Sequence, residues 1–220
     1  NSGSFAGSNS TVLSSTGAVL GRDIGFDQIV PYEKTGKEYV FVRGLGSDML
    51  ERVFLIAHVD NTKIYINGKT TAFKTLQAGE FADIDGANFI DGNLYVTTSE
   101  KVFAYQSIGG RDNNAANQNL FFVPPINCST PREVNNIPAI QSIGTTTYVG
   151  GLNIVTEKGA SVLVNDLSVT AIPIGITGNP GFERYTINGL SGNVSVKSSK
   201  QVYVSYFGTN SAATYGGYYS

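Results

Sequence analysis

Apolar and polar residues alternate with a period of two along most of the chain from Tyr39 onward. The segments with this pattern are EYVFV, RVFLIAHV, TKIYING, NLYVTT, KVFAYQS, GGLNIVT, ASVLVN, ERYTIN, NVSVKSS and QVYVSYF. They are rich in β-branched and aromatic residues and are bounded by Gly, Asn, Asp and Ser, as strands are. No segment sustains a 3.6-residue apolar period over three turns. The pattern therefore predicts an all-β protein.

Two distant segments of the chain repeat each other. SGNVSVKSSKQVYVSYFGTN (191–210) overlays DGNLYVTTSEKVFAYQSIGG (91–110) at an offset of 100 residues, 191 − 91. Further back, VDNTKIYINGK (59–69) overlays EKGASVLVNDL (157–167) at an offset of 98, and VPYEKTGKEYV resembles VPPINCSTPREVN. Three landmarks in the same order indicate a tandem duplication.

The length of the repeat bears on the domain organisation. Repeats of 20 to 50 residues cannot bury their own apolar face, whereas a unit of about 100 residues can close a sandwich core. We therefore predict two tandem antiparallel β-sandwich units, at residues 22–118 and 119–220. The Ser/Gly-rich segment 1–21 is predicted to be a linker or an additional strand. INGK (66–69) and VNDL (164–167) are predicted hairpin turns, because Asn-Gly and Asn-Asp tolerate positive φ.

The motifs of the first unit resemble a known family. In chain order they are FDQIVPYEKTGKEYVFV, FLIAHVDNTKIYING, LQAGEF, SEKVFAYQS and NLFFVPPI. This order resembles the bacterial IgGFc-binding protein N-terminal domain family. The second half, ending AATYGGYYS, is similar to segments of large secreted Bacteroidota proteins, many exported by type IX secretion and bearing gliding-motility-type C-terminal regions. The resemblance implies cell-surface display and adhesive binding, and it implies no catalytic residues.

Composition narrows the classes of partner and chemistry. The formal net charge is −2 and only 15% of residues are charged, against roughly 25% in an average soluble domain. This charge balance argues against a broad basic surface for binding nucleic acid. The sequence also contains no run of 18 or more apolar residues, the pattern that would predict a membrane-spanning segment. One Cys, one His, one Met and no Trp remove most side chains used in demanding catalysis. We therefore predict a non-enzymatic protein.

One loop contains closely spaced oxygen ligands. DIDGANFIDGN (83–93) contains Asp83, Asp85, Asn88 and Asp91, and calcium takes carboxylate and carbonyl oxygens from such turns. The spacing departs from the EF-hand pattern, and the matching loop TINGLSGN of the second unit has no carboxylate. An Asx-rich turn without metal explains both loops. Calcium bound by these four residues is the alternative, and no other cofactor is expected.

Candidate ligand-binding residues fall in two places. They are Tyr206, Tyr215 and Tyr218 near the C-terminus, and Arg111, Asp112 and Asn113 in the polar stretch between the predicted units. Tyrosine presents an apolar ring with a polar tip, which suits sugar and protein surfaces. The same residue type also packs between strands, so a core role for the tyrosines remains open.

The other reactive residues give little indication of catalysis. His58 and Asp60 share one face of a predicted strand, but the sequence places no nucleophile near them, and a solvated pair is the expected reading. Cys128 has no neighbour that would lower its thiol pKa, so an inert residue is expected. Carboxylate pairs for glycoside hydrolysis cannot be read from spacing in a β-sandwich.

These observations predict a non-enzymatic, extracellular binding or adhesion module of a large bacterial cell-surface protein. Its expected partners are a glycan or a surface protein, together with adjacent domains of the same long chain. Two alternatives stay open, a structural spacer of an adhesin stalk and an accessory domain of a secreted glycoside hydrolase or peptidase. A spacer has no reason to break its own internal symmetry, which distinguishes it from a binding module.

Overall fold

The computed structural model describes residues 4–8, 24–109, 119–127, 129–211 and 213–219, with backbone only for 4–8 and 24–26. The strands are β1 (Ser4–Ser8), β2 (Ile24–Gln28), β3 (Gly36–Val42), β4 (Arg52–Ala57), β5 (Thr62–Ile66), β6 (Lys74–Leu76), β7 (Phe81–Asp85), β8 (Asn93–Ser107), β9 (Phe121–Phe122), β10 (Glu133–Ile137), β11 (Ser142–Ile143), β12 (Thr146–Thr147), β13 (Val149–Glu157), β14 (Val162–Val164), β15 (Leu167–Ser168), β16 (Ile174–Ile176), β17 (Asn179–Leu190), β18 (Val194–Ser198), β19 (Val202–Asn210) and β20 (Ala213–Tyr219). Among the described residues, two 3₁₀ turns lie at Tyr32–Lys34 and Gly86–Asn88.

Every strand pairing in the described residues is antiparallel, and none of these residues is in an α-helix. The predicted all-β class is therefore confirmed. Strand β1 pairs with β2, and the remainder of the predicted 1–21 segment lies outside the described residues.

The first half of the chain is organised by the 15-residue strand β8. Its N-terminal part pairs mainly with β3 on one side and β5 on the other, and its C-terminal part pairs with β4 and β9. Strand β6 extends the sheet beyond β5, and β7 extends it beyond β4. Alternate side chains from these strands, such as Tyr39, Leu55, Ile64 and Val96, form one buried cluster, the first core.

In the described part of the second half, two larger sheets share a second core, and β11 and β12 form a separate two-stranded sheet. One sheet has the order β10-β18-β14-β15, and the other has the order β16-β17-β13-β19-β20. Val134, Val162 and Val196 come from the former sheet, and Leu152 and Val204 come from the latter. Because these residues pack in one cluster, the two sheets lie face to face.

The two halves have the same strand order. β3-β8-β5-β6 in the first half corresponds to β10-β18-β14-β15, and β7-β4-β8-β9 corresponds to β17-β13-β19-β20. The continuous strand β8 corresponds to the two strands β18 and β19, which are separated at Ser199–Gln201. The tandem duplication into two sandwich units, with boundaries at 22–118 and 119–220, stays a prediction.

The halves meet through a third apolar cluster, which we call the junction. Val40 and Val42 of the first half pack there with Val155, Ile176 and Tyr203 of the second half. Their strand neighbours Tyr39 and Phe41 point instead into the first core. Successive side chains of a strand point to opposite faces, so β3 is buried on both faces. The junction is therefore built like a protein interior.

Polar contacts surround the junction. Arg184 donates from Nη2 to the carbonyl oxygen of Asp91 at 2.7 Å. The Glu38 carboxylate accepts hydrogen bonds from Tyr95 Oη at 2.7 Å and from Asn179 Nδ2 at 2.9 Å. Arg184 and Asn179 belong to the second half and their partners to the first, so these bonds fix the position of one half on the other.

Candidate functional site

A groove of about 1190 Å³ opens beside the junction. One wall consists of residues from 30–36, 120–127 and 129–131, which lie outside regular sheets except at Gly36 and β9. The facing wall consists of Tyr206 and the residues Gly216 to Tyr218 of β20. The groove is therefore lined by both halves of the chain.

Residues 120–127 and 129–131, which we call the connector wall, are held in place by hydrogen bonds to both halves. Ile126 N–H donates to the Glu38 carbonyl at 2.8 Å. Asn127 N–H donates to Tyr203 Oη at 2.9 Å, and the Tyr203 hydroxyl donates to the Asn127 carbonyl at 3.0 Å. The wall also contains Pro124, Pro125 and Pro131, whose rings fix φ. The connector wall is thus preorganised.

Gly36 is required where the two parts of this wall touch. A Cβ at position 36 would lie 2.3 Å from Pro125 Cβ, which is far inside a normal contact. The repeated Val-Pro landmarks of the sequence, at Val30–Pro31 and Val123–Pro124, both line the groove or border it. The sequence pattern of these landmarks does not predict that they form a wall.

Two of the three predicted tyrosines line the groove. Tyr218 packs against the first core and the junction, and its hydroxyl makes no hydrogen bond with another described residue. Burial raises the pKa of the Tyr218 and Tyr206 hydroxyls, so both remain protonated donors at neutral pH. The Tyr206 ring packs against Gly217, with the Tyr219 centroid 5.3 Å away.

Tyr215 lies away from the groove. Its hydroxyl donates to the carbonyl oxygen of Ile140, and its ring meets Tyr148 edge-on at 4.8 Å between centroids. Burial raises the pKa of Tyr215 to about 12. These contacts give Tyr215 a packing role within the second half. The predicted residues Arg111, Asp112 and Asn113 lie outside the described residues, as does Cys128.

Charged side chains at the groove differ in how far they are already engaged. Asp27 accepts backbone N–H groups from Phe122 at 2.6 Å and from Gln28 at 2.8 Å. Within the described part of the chain, no ion pair engages Lys34, Lys101 or Glu33. The groove lining therefore carries two ammonium groups and two carboxylates, so its charges balance.

An aromatic cluster adjoins the groove at Lys101. The Lys101 Nζ lies 5.5 Å from the centroid of the Tyr32 ring, and the His58 ring lies 4.6 Å from the same ring. Asp60 Oδ1 accepts the Ala78 N–H at 2.9 Å, an interaction separate from the His58–Tyr32 ring contact. His58 therefore belongs to an exposed aromatic surface.

Three of the four predicted calcium ligands, Asp83, Asp85 and Asn88, have side-chain partners in the structure. Asp83 Oδ1 lies 3.4 Å from Arg52 Nη1, and Asp85 Oδ1 accepts a hydrogen bond from Asn88 Nδ2 at 2.8 Å. Burial, reinforced by Asp85, raises the pKa of Asp83, while Arg52 opposes the shift. Asp91 has a left-handed backbone, with φ 49°. Among the described residues, no three Asp, Glu, His or Cys side chains gather as metal ligands, so the calcium site stays a prediction.

The fold and the groove define an all-β protein with a preformed groove between two similar halves. The chain matches the family described as IgGFc binding protein over residues 3–208, and it belongs to that family. This is a binding-type family and not an enzyme family. No curated protein matches the chain. None of the described helical segments is long and apolar enough to cross a membrane.

Proposed function

We propose that the protein is a non-enzymatic, extracellular binding module of a large bacterial cell-surface protein, and that the groove holds its ligand. Domains of this family are typically extracellular. The ligand is a glycan or a surface protein, and neighbouring domains of the same chain present the module at the surface. The antibody Fc named in the family description is one protein ligand to be tested.

The observation that carries the proposal is the groove between the halves. Its connector wall is hydrogen-bonded to both halves, and the junction fixes the opposite wall. A preformed concave site reduces the ordering cost that a ligand must overcome. Tyr218, Lys34 and Lys101 line it and carry hydrogen-bond donors. The arrangement suits recognition of a ligand.

A direct test measures binding of the purified chain to a glycan array and to immobilised surface and matrix proteins, including IgG Fc. Ser129→Trp places an indole in the groove from an exposed position, whereas Ser168→Trp adds the same group on β15, outside the groove. Binding that Ser129→Trp abolishes and Ser168→Trp preserves supports the proposal. Binding that neither substitution changes, or no binding at all, contradicts it.

Calcium enters the same experiment as a separate variable. Repeating the measurement with a chelator tests the predicted ligands Asp83, Asp85, Asn88 and Asp91. Loss of binding on chelation, restored by added calcium, supports a metal site in this loop. Unchanged binding removes calcium from the proposal and leaves the groove unaffected.

A structural spacer is the second candidate, and the packed junction favours it. Val40, Val42 and Ile176 are at most 6% exposed, which makes the pair of halves a stiff unit. A spacer predicts no ligand in the groove, so the array decides between the two functions. The alternative of a hydrolase accessory domain has no comparable structural observation in its favour.

A further inference from the structure

We propose that an exposed apolar face of the first half is the docking surface for a further β-sandwich unit, one that precedes the first half in the same polypeptide. The face consists of Ile56, Phe81 and Phe103, and we call it the open face. Phe81 is 55% exposed, and Ile56 and Phe103 are partly exposed. This inference goes beyond the binding function of the groove and does not depend on it.

The open face has a buried counterpart in the second half. In the pairing register of the first half, Ile56 of β4 lies between Phe81 of β7 and Phe103 of β8. The residues in the same relation on β13, β17 and β19 of the second half are Val155, Arg184 and Tyr203. All three are at most 9% exposed, because this face of the second half meets the first half at the junction. The face by which the second half docks is therefore left uncovered on the first half.

The open face is also more apolar than its counterpart. Phe81 stands where the second half has Arg184, whose guanidinium donates to the Asp91 carbonyl across the junction. Phe81 has no hydrogen-bonding group in its side chain, so a partner covers it with apolar side chains. The Tyr32 ring borders the face, 6.4 Å from the Phe103 ring between centroids, and is itself 37% exposed. Contiguous exposed apolar surface of this kind marks an interaction site.

The junction shows which surface covers such a face. There the first half presents Val40, Val42 and Tyr95, which lie on the neighbouring strands β3 and β8. The partner of the open face therefore carries aliphatic and aromatic side chains on the corresponding outer face of its own sheet. The first half cannot present that surface to another molecule, because the second half already covers it and leaves these three residues at most 9% exposed.

The second half does not offer the required surface either. Its corresponding strands are β10 and β18, where Val134 and Ile137 point into the second core. Exposed between them are Asn135 and Asn136, and the outward residue of β18 beside them is Ser195, which is partly exposed. A polar outer face is what caps the end of an array of repeats. A second copy of this chain therefore cannot cover the open face as the junction does, and the partner is a different unit.

Strand β1 indicates that this unit belongs to the same polypeptide. Strand β9 leads into Val123–Pro124 of the second half and pairs antiparallel with β8, the strand before it. Strand β2 leads into the matching Val30–Pro31 and pairs in the same way with β1. Strand β1 therefore takes the place of the last strand of a preceding unit. Its sequence agrees, because SFAGSNS (4–10) and SYFGTNS (205–211), at the end of β19, are identical at four of seven positions.

The first experiment asks whether the open face binds a second copy of the chain. Sedimentation velocity of the 220-residue chain should show a monomer, because the matching face is covered in one half and polar in the other. A dimer that Phe81→Asp dissociates and Ile143→Asp leaves intact would assign the face to self-association and overturn the inference. Ile143 on β11 is the matched control, since it is 48% exposed and lies in the second half.

The second experiment uses the encoded polypeptide lengthened on its N-terminal side by about 100 residues, the size of one sandwich unit. We expect those residues to form a unit with apolar side chains at the counterparts of Val40 and Tyr95. Carbene footprinting then compares the longer polypeptide with the 220-residue chain. Labelling of Phe81 should fall severalfold, as its exposure drops from 55% toward the values of at most 9% on the counterpart face. Labelling of Ile143 should stay unchanged.

Phe81→Asp provides an independent readout. It should lower the Tm of the longer polypeptide, because the carboxylate would be buried there against apolar side chains. It should leave the Tm of the 220-residue chain nearly unchanged, because the residue is exposed in that chain. Preceding residues that form no sandwich unit, or equal labelling of Phe81 in both chains, would overturn the inference. Neither result affects the binding proposal for the groove.

Discussion

Asn67 and Asn165 hold the same turn in the two halves, 98 residues apart. Both have a left-handed backbone, with φ 53° and 51°. Asn67 Oδ1 accepts the Tyr95 N–H at 3.3 Å, and Asn165 Oδ1 accepts the Ser195 N–H at 2.8 Å. Each side chain therefore ties its turn to the adjacent strand. Few residue types accept positive φ and also provide this acceptor.

Replacing Asn165 with Ala should lower the free energy of unfolding by about 1–2 kcal/mol, because the turn loses its hydrogen bond and gains backbone strain. Urea denaturation measures this loss. Asn165→Gly keeps the backbone freedom and removes only the hydrogen bond, so a smaller loss is expected. An Ala variant as stable as wild type would contradict the role given to this side chain.

The contact between Gly68 and Gly178 provides a test of the junction. A Cβ on Gly178 would lie 2.4 Å from the Gly68 nitrogen, and φ at Gly178 is +91°. Gly178→Ala should therefore lower the free energy of unfolding by about 2 kcal/mol or more, because the clash with Gly68 adds to the backbone strain. Gly159→Ala is the matched control, because Gly159 has φ +75° and a Cβ added there would meet nothing within 4 Å. Equal losses of unfolding free energy in the two variants would show that the halves can move apart at this contact at little cost.

Glu51 predicts a pH-dependent difference in stability. Its carboxylate is fully buried and accepts N–H groups from Gly44, Gly46 and Gly109 at 2.8, 2.8 and 3.2 Å. Burial raises its pKa, and these hydrogen bonds and Arg43 oppose the shift. The folded state then holds the proton more tightly than the unfolded state does. This residue's contribution to stability is consequently greatest below its unfolded pKa and falls as pH rises toward the folded value.

Comparison of wild type with Glu51→Gln isolates that contribution, because other groups titrate alike in both. The stability of wild type relative to the variant should increase from pH 8 to pH 5, measured by urea denaturation at each pH. The opposite slope would mean that the hydrogen bonds outweigh burial and that the pKa of Glu51 is lowered.

The strands and turns were readable from the sequence, whereas the junction was not. Alternation and Asn-containing turns predicted β5, β14 and their turns, because period and turn chemistry are local properties. The run Tyr39 to Val42 is continuously apolar, which is typical of a strand buried on both faces. It was interpreted as an ordinary half-buried strand, and the partner that covers Val40 and Val42 lies more than 100 residues away.

The groove was also only partly predictable. Tyr206 and Tyr218 were candidates because tyrosine is common in binding surfaces. The sequence does not mark Lys34 and Lys101 as binding residues, since isolated lysines are usually solvated. Only the tertiary structure brings them beside the connector wall. Irregular segments have no periodicity, so sequence patterns give no information on where such walls face.

The packed junction predicts that the two halves unfold together. Ile176 is 4% exposed at the junction, while Ile174 on the same strand is 37% exposed. Ile176→Ala should lower the free energy of unfolding by about 2–4 kcal/mol through the cavity that it leaves, and Ile174→Ala by less than about 1 kcal/mol. Denaturation followed by fluorescence and by circular dichroism should give one shared transition. Two separated transitions, with Ile176→Ala shifting only one of them, would mean that the halves are independent domains and that the groove between them is not fixed.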